Sequence, residues 1–148
     1  MRYSPRSCQR QAPPAAEHDP RASEWALRLH REPRLHTVDF NGKKVFGGGE
    51  ITITAFAIDS STGEPKLIQH ADTHSFHVRT FAFDPSGRLM VAASIKPMNV
   101  REGNDVTTVP ARLSVFRCGP DGKLDFVRAY GVDAAGKTHY WMTVVGLD

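Results

Sequence analysis

A strand–turn–strand pattern runs twice through this chain, at residues 36–70 and again at residues 77–130. In each copy a His opens an alternating apolar run, a glycine turn follows at Gly42 or Gly87, and a second β-rich run returns. A third run then carries a Phe expected to be buried, Gly63 or Gly122 closes another turn, and a fourth run completes the unit. Four short strands in a repeat of roughly 40 to 50 residues describe a blade of a β-propeller. A blade exposes both faces of its sheet and therefore needs neighbours. The expected fold class is all-β: a partial β-propeller of two four-stranded antiparallel blades, at 35–70 and 77–131, with one extra strand at 138–146.

Propellers close with about 4 to 8 blades, whereas 148 residues leave room for two blades and the first strand of a third. The chain thus reads as a C-terminal fragment of a larger ring, or as a two-blade stack that associates to cover its faces. Residues 1–34 read as a separate, disordered leader. Pro5, Pro13, Pro14, Pro20 and Pro33 interrupt any periodicity there, and too few apolar side chains are present to offset the entropy of ordering. Within it, residues 23–30 have the outline of a short helix, with Ser23 at the N-cap.

Charge follows the same division. The first 34 residues hold seven Arg against four acidic residues, which accounts for the whole net charge of +3. Residues 35–148 are balanced, with no basic stripe and no interleaved aromatics, so nucleic acid is not an expected partner. No run approaches the roughly 20 apolar residues of a membrane span, and no secretory signal core is present. A cytoplasmic location without membrane association is expected. Cys8 and Cys118 fit neither a disulfide framework nor a metal motif.

Strand positions follow from turn chemistry. Asn41-Gly42 is a two-residue hairpin signal between 37–41 and 44–47. Residues 51–58, ITITAFAI, become apolar on both faces toward their end, as a sheet sandwiched between blades requires. Asp84-Pro85-Ser86-Gly87 and Gly119-Pro120-Asp121-Gly122 each join two strands of the second copy. Residues 94–110 read as a long polar loop without strand pattern.

With these residues in view, the chain resembles the lactonase family of seven-bladed β-propellers, which includes 6-phosphogluconolactonase and 3-carboxymuconate cyclase. Phe81, Asp84, Pro85, Gly87 and Arg88 match its FxxDPxGR turn. Phe56, Asp59, Thr62 and Gly63, and again Val115, Phe116 and Gly122, match its second hairpin. The resemblance covers residues 35–148 and implies hydrolysis of a sugar-acid or organic-acid lactone, a small-molecule substrate, with no cofactor and no metal.

The resemblance also implies a site at one mouth of the channel, built from His-Pro-Arg-like starts of inner strands. His77-Val78-Arg79 keeps the His and the Arg. His77 and Arg79 are thus the candidate catalytic residues: an imidazole poised to move protons near neutrality, and a guanidinium suited to carboxylate or phosphate. Arg79, His139 and Trp141 are the candidate substrate-binding residues. His36, His77 and His139 open the three expected inner strands and would converge on the mouth. Ordinary structural roles compete with each assignment: an Arg–Asp pair for Arg79, strand-start hydrogen bonds for the histidines, and interblade packing for Trp141.

Departures from the family pattern weigh against activity of this chain alone. Val91-Ala92-Ala93-Ser94 leads into Ile95-Lys96-Pro97 instead of the usual Val-Ala-Asn and polar turn, and His36 has no following Arg. Three readings remain: a lactonase-like hydrolase completed by self-association or by a partner chain, a non-catalytic propeller piece that binds a protein, and an inactive truncated gene product.

Overall fold

The computed structural model describes residues 36–49 and 51–146, together with the backbone of 25–29. The chain order is β1 (Trp25–Leu29), β2 (His36–Phe40), β3 (Lys43–Gly48), β4 (Thr52–Ile58), β5 (Pro65–Asp72) and β6 (Val78–Phe83). It continues with β7 (Leu89–Ser94), β8 (Met98–Glu102), β9 (Asp105–Val109), β10 (Ala111–Cys118) and β11 (Leu124–Val132). No helix occurs among the described residues. Two antiparallel sheets of blade type, β1-β4-β5 and β6-β7-β10-β11, carry two separate hairpins, β2–β3 and β8–β9. The all-β, partial-propeller class is the observed one.

The first blade is assembled differently from the sequence expectation. Residues 35–70 were expected to supply all four of its strands, yet β2 and β3 pair only with each other and stand apart from the sheet. Their place beside β4 is taken by β1, with Trp25 opposite Ala57 and Leu29 opposite Ile53. The sheet therefore reaches into the stretch expected as leader, and residues 25–29 are extended where a helix was expected. WALRL places Trp25, Leu27 and Leu29 at alternate positions, which suits a strand, and long-range pairing with β4 overrides the local helix signal. Residues 1–24 and 30–35, including Cys8, lie outside the described residues.

Two further expectations change. Residues 94–110 contain the hairpin β8–β9, paired from Met98–Val109 to Glu102–Asp105 around Gly103. Val100, Val106, Thr107, Thr108 and Val109 are β-branched and Gly103-Asn104 is a hairpin dipeptide, so the signal was present but read as polarity. Residues 138–146, expected as an extra strand, form no strand and join no sheet among the described residues. The two hairpins occupy the same topological slot, one between β1 and β4 and the other between β7 and β10. They pack on each other along β3 and β8. There Asn99 Nδ2 donates to the Lys44 carbonyl at 3.2 Å, and the Arg101 guanidinium lies 4.1 Å from the Phe40 ring centre.

The core lies between the blades. Ile53, Ala55 and Ala71 of the first blade meet Met90, Ala92, Phe116 and Leu124 of the second, all buried. Alanines at these crossings allow the two backbones to approach, and the larger Ile, Met and Phe fill the remaining volume. Polar bonds set the spacing. Gln69 Nε2 donates to the Leu124 carbonyl at 3.1 Å while Leu124 N–H donates back to Gln69 Oε1 at 2.8 Å. Ser114 Oγ donates to the Thr73 carbonyl at 2.6 Å.

The residues that carry the family resemblance are turn builders. Asp59 Oδ1 accepts from Ser61 N–H, Thr62 N–H and Ser61 Oγ at 2.9, 2.9 and 2.6 Å. The Ser61 hydroxyl and these backbone donors hold its carboxyl well below the usual range, at about 2. Asp84 does the same between β6 and β7: Oδ1 accepts from Leu89 N–H at 2.8 Å and Oδ2 from the Ser86 hydroxyl. Partial burial pushes the Asp84 carboxyl up, but these donors together bring it below its ordinary value. A depressed carboxylate stabilises the fold above its unfolded pKa, near 4, and the contribution is lost as pH falls through the folded value. The expected result is a urea midpoint that drops between about pH 4 and pH 2. Asp59→Ala and Asp84→Ala should each lower the neutral-pH midpoint and flatten that acid limb; an acid limb of unchanged steepness in both variants refutes the assignment.

Candidate functional site

The linker between the blades, residues 73–77, is held in an unusual shape. His74 and His77 both have left-handed backbones, with φ of 51° and 53°. Such torsions cost a non-glycine residue about 1–2 kcal/mol, and His tolerates them better than most. The surroundings enforce them. His74 N–H donates to Asp72 Oδ1 at 2.7 Å, the Arg112 guanidinium donates to the His74 carbonyl at 3.1 Å, and the His74 ring lies 4.0 Å from that of Phe126. Phe46 of the first hairpin packs on Phe76 with ring centres 4.8 Å apart, so that hairpin braces the linker immediately before His77.

His77 leads into β6, and its carbonyl accepts from Ile95 N–H at 3.2 Å. The residue is half-buried, with its Nε2 atom out of reach of solvent. The ladder between β6 and β7 skips a residue between Val78 and Thr80, which leaves Arg79 in a β-bulge. Bulges re-aim a side chain away from the regular alternation and concentrate near functional sites. Arg79 is exposed, and its guanidinium carbon stands 5.2 Å from the centre of the Tyr140 ring. Stacking covers one face of a guanidinium and leaves its in-plane N–H edges available to an oxyanion.

The fold brings part of the expected set together. His139 N–H donates to the Ile95 carbonyl at 2.9 Å, and Ile95 in turn binds His77 through its own N–H, so His77, Arg79 and His139 share one end of the second blade. Trp141 stands apart from that group. It is 76% exposed, so its ring is not packed between the two described blades. His36 belongs to the β2–β3 hairpin instead of an inner strand, because β2 never enters the blade sheet. Among the described residues no three His, Cys, Asp or Glu side chains group as metal ligands, so the expected convergence of three histidines does not form.

The stacking of Tyr140 on Arg79 is the contact that sequence reasoning did not foresee. Only the path of residues 138–146 across β6 brings the ring to Arg79, and no local motif announces that contact. Next to the group lies a groove of about 440 Å³ lined by Lys96, Thr108, Lys137 and Thr138, with Pro97, Pro110 and Val132 as apolar floor. Lys96 and Thr138 adjoin Ile95 and His139 in sequence, which joins the groove to the histidine end of the site. No helix of the described residues is long and apolar enough to cross a membrane.

Comparison with known proteins agrees with the resemblance read from the turns. The family described as Lactonase, 7-bladed beta-propeller matches residues 41–101, from the first hairpin through β8. A 6-phosphogluconolactonase of Formosa agariphila is 44% identical over 48 residues, a stretch that covers 32% of this chain and 14% of that protein. No solved structure gives a significant match.

Proposed function

Because residues 41–101 are a stretch of the lactonase seven-bladed β-propeller family, we propose that this chain forms part of a hydrolase for acidic lactones, such as those of sugar acids or organic acids. The observation that carries the reading is the β-bulge at Arg79, whose guanidinium is stacked on Tyr140 at the strand end where the backbones of His77 and His139 both bond Ile95. Arg79 grips the carboxylate or phosphate of the substrate through its in-plane N–H edges, and Tyr140 holds the guanidinium plane in place.

His77 acts as general base. It removes a proton from a water as the water oxygen attacks the lactone carbonyl carbon. The tetrahedral intermediate then collapses with cleavage of the ring C–O bond, and the imidazolium returns the proton to the departing alkoxide. The product is the open hydroxy acid, and no redox equivalent or metal enters the balance. Left-handed strain at a candidate base is the kind of backbone feature that persists where function requires it. A cytoplasmic setting, where phosphorylated sugar acids occur, suits this chemistry.

Titration of the acid released from an acidic lactone at constant pH tests the reading. Arg79→Ala should lower kcat/KM by about 10- to 100-fold, the value of one charge-assisted hydrogen-bonded contact. His77→Asn keeps a residue that accepts the left-handed backbone but cannot relay protons. It should retain the melting temperature and lose at least about 100-fold in kcat. Equal activity of His77→Asn and the parent chain refutes the role of His77, and no hydrolysis of any acidic lactone by the parent chain refutes the function.

A further inference from the structure

The groove at the histidine end of the second blade is built by three separate stretches of chain. Lys96 and Pro97 come from the link after β7, Thr108 and Pro110 from the end of β9, and Val132 and Lys137 from the end of β11 and the turn behind it. Its volume, about 440 Å³, lies in the range of small-molecule sites, about 300–1,000 Å³. Both lysines leave the chain at positions fixed by backbone bonds. Ala135 and Gly136 have left-handed torsions, φ of 48° and 75°, and Lys137 N–H donates to the Ala134 carbonyl at 2.8 Å, the pattern of a tight primed turn. Asp133 Oδ1 accepts from Ala135 N–H at 2.8 Å and holds this non-glycine residue in that shape. Lys96 follows Ile95, which is pinned through its N–H to His77 and through its carbonyl to His139.

Charge and polarity define what fits. Two ammonium groups against one carboxylate, that of Asp133, give the lining a net positive charge. Neither lysine forms an ion pair among the described residues. The floor of Pro97, Pro110 and Val132 is apolar, and Thr108 already donates its hydroxyl proton to Asn99 Oδ1 at 2.8 Å. Hydroxyl groups laid on such a floor lose water without gaining partners, whereas a hydrocarbon chain gains by leaving water.

We propose that this groove is a second acid-binding subsite, at the same end of the blade as Arg79, for a ligand with a hydrocarbon skeleton. Lys96 and Lys137 hold a carboxylate as compact point charges, and the skeleton lies on Pro97, Pro110 and Val132. The inference rests on the lactonase reading for the reaction, and it narrows the substrate to the lactone of an organic acid with two acid groups. Arg79 takes one of them and the lysine pair the other. A polyhydroxylated sugar acid is disfavoured by the floor.

Titration of the intact chain with adipate and with glucarate, followed by amide chemical shifts, tests the site without turnover. Both are dicarboxylates of equal chain length, and glucarate adds a hydroxyl on each inner carbon. Adipate should shift the amide signals of Thr108, Val132 and Thr138 and bind at least about 5-fold more tightly than glucarate. Lys96→Gln and Lys137→Gln, both at exposed residues, should each weaken adipate by about 2- to 5-fold, and binding should fade as salt rises. Lys66→Gln makes the same charge change on β5 of the first blade and should leave binding unaltered. Gly131→Val, checked for the parent circular dichroism, fills space beside Pro110, whose Cγ lies 3.5 Å from a Cβ built on Gly131, and should abolish the shifts with both lysines in place. Adipate shifts that are absent or lie elsewhere overturn the proposal, as do glucarate binding as tight as that of adipate and lysine variants that bind like Lys66→Gln. Adipate bound as described by a chain that hydrolyses no acidic lactone refutes the reaction and leaves the subsite standing, so the two failures are told apart.

Discussion

Phe116→Ala should destabilise the fold by about 3–5 kcal/mol, the cost of removing a fully buried aromatic ring from a packed core. Phe116 is 1% exposed, and its backbone is paired with Met90 on one side and Phe126 on the other. Its ring meets that of Phe126 edge to face at 5.7 Å, and it belongs to the cluster that joins Ile53 and Ala55 of the first blade to Met90 and Ala92 of the second. Truncation leaves a void that the alanine-lined interface has no larger side chain to refill. The loss should appear as a fall in melting temperature on the order of 10 °C or more. Phe116→Leu, which keeps most of the volume, should cost less than about 1.5 kcal/mol. A Phe116→Ala chain that unfolds at the parent midpoint would mean that the blades do not share this core.

Gln69→Leu should cost about 2–4 kcal/mol although it adds apolar character, because the amide is a two-way clamp. Its nitrogen and oxygen bond the carbonyl and N–H of Leu124, a residue only 3% exposed. Replacement by Leu leaves both backbone groups of Leu124 without these partners where water has poor access. Gln69→Glu retains the acceptor for Leu124 N–H but sets a carboxylate oxygen against the Leu124 carbonyl in place of the donor, so it too should be less stable than the parent. Urea denaturation of the three chains decides the matter. Loss of stability in both variants supports the clamp, and a Leu variant as stable as the parent refutes it. The same experiment bears on the site, since Gln69 and Leu124 set the spacing of the blades between which the 73–77 linker is strung.

Much of the strand content was legible because its determinants are local. Asn41-Gly42 turns a hairpin through positive torsions at both residues, 49° and 73°, and the sequence dipeptide names that turn outright. Asp59 and Asp84 collect backbone N–H groups within a few residues of themselves, so their turns follow from composition and spacing. β4, β6, β7, β10 and β11 fall within a residue or two of the bounds their turns imply, for the same reason. The family pattern was visible too, since the residues that carry it are these turn builders.

Sheet membership was not local. Whether β2 or β1 stands beside β4 depends on pairing across some 25 residues, and both segments have strand character. The hairpin at 98–109 was hidden by its polar exposed face, which is what a hairpin projecting from a blade presents to water. The candidate site divides along the same line. His77 and Arg79 stand out as residue types at a strand start, but the left-handed torsion at His77 and the bulge at Arg79 have no local sequence signal, and Tyr140 approaches Arg79 from some 60 residues along the chain. Short-range chemistry sets turns and strands because a few neighbouring atoms satisfy each polar group. Which strands share a sheet, and which side chains meet at its mouth, is settled by long-range burial, where several pairings of similar local quality compete and one buries the core.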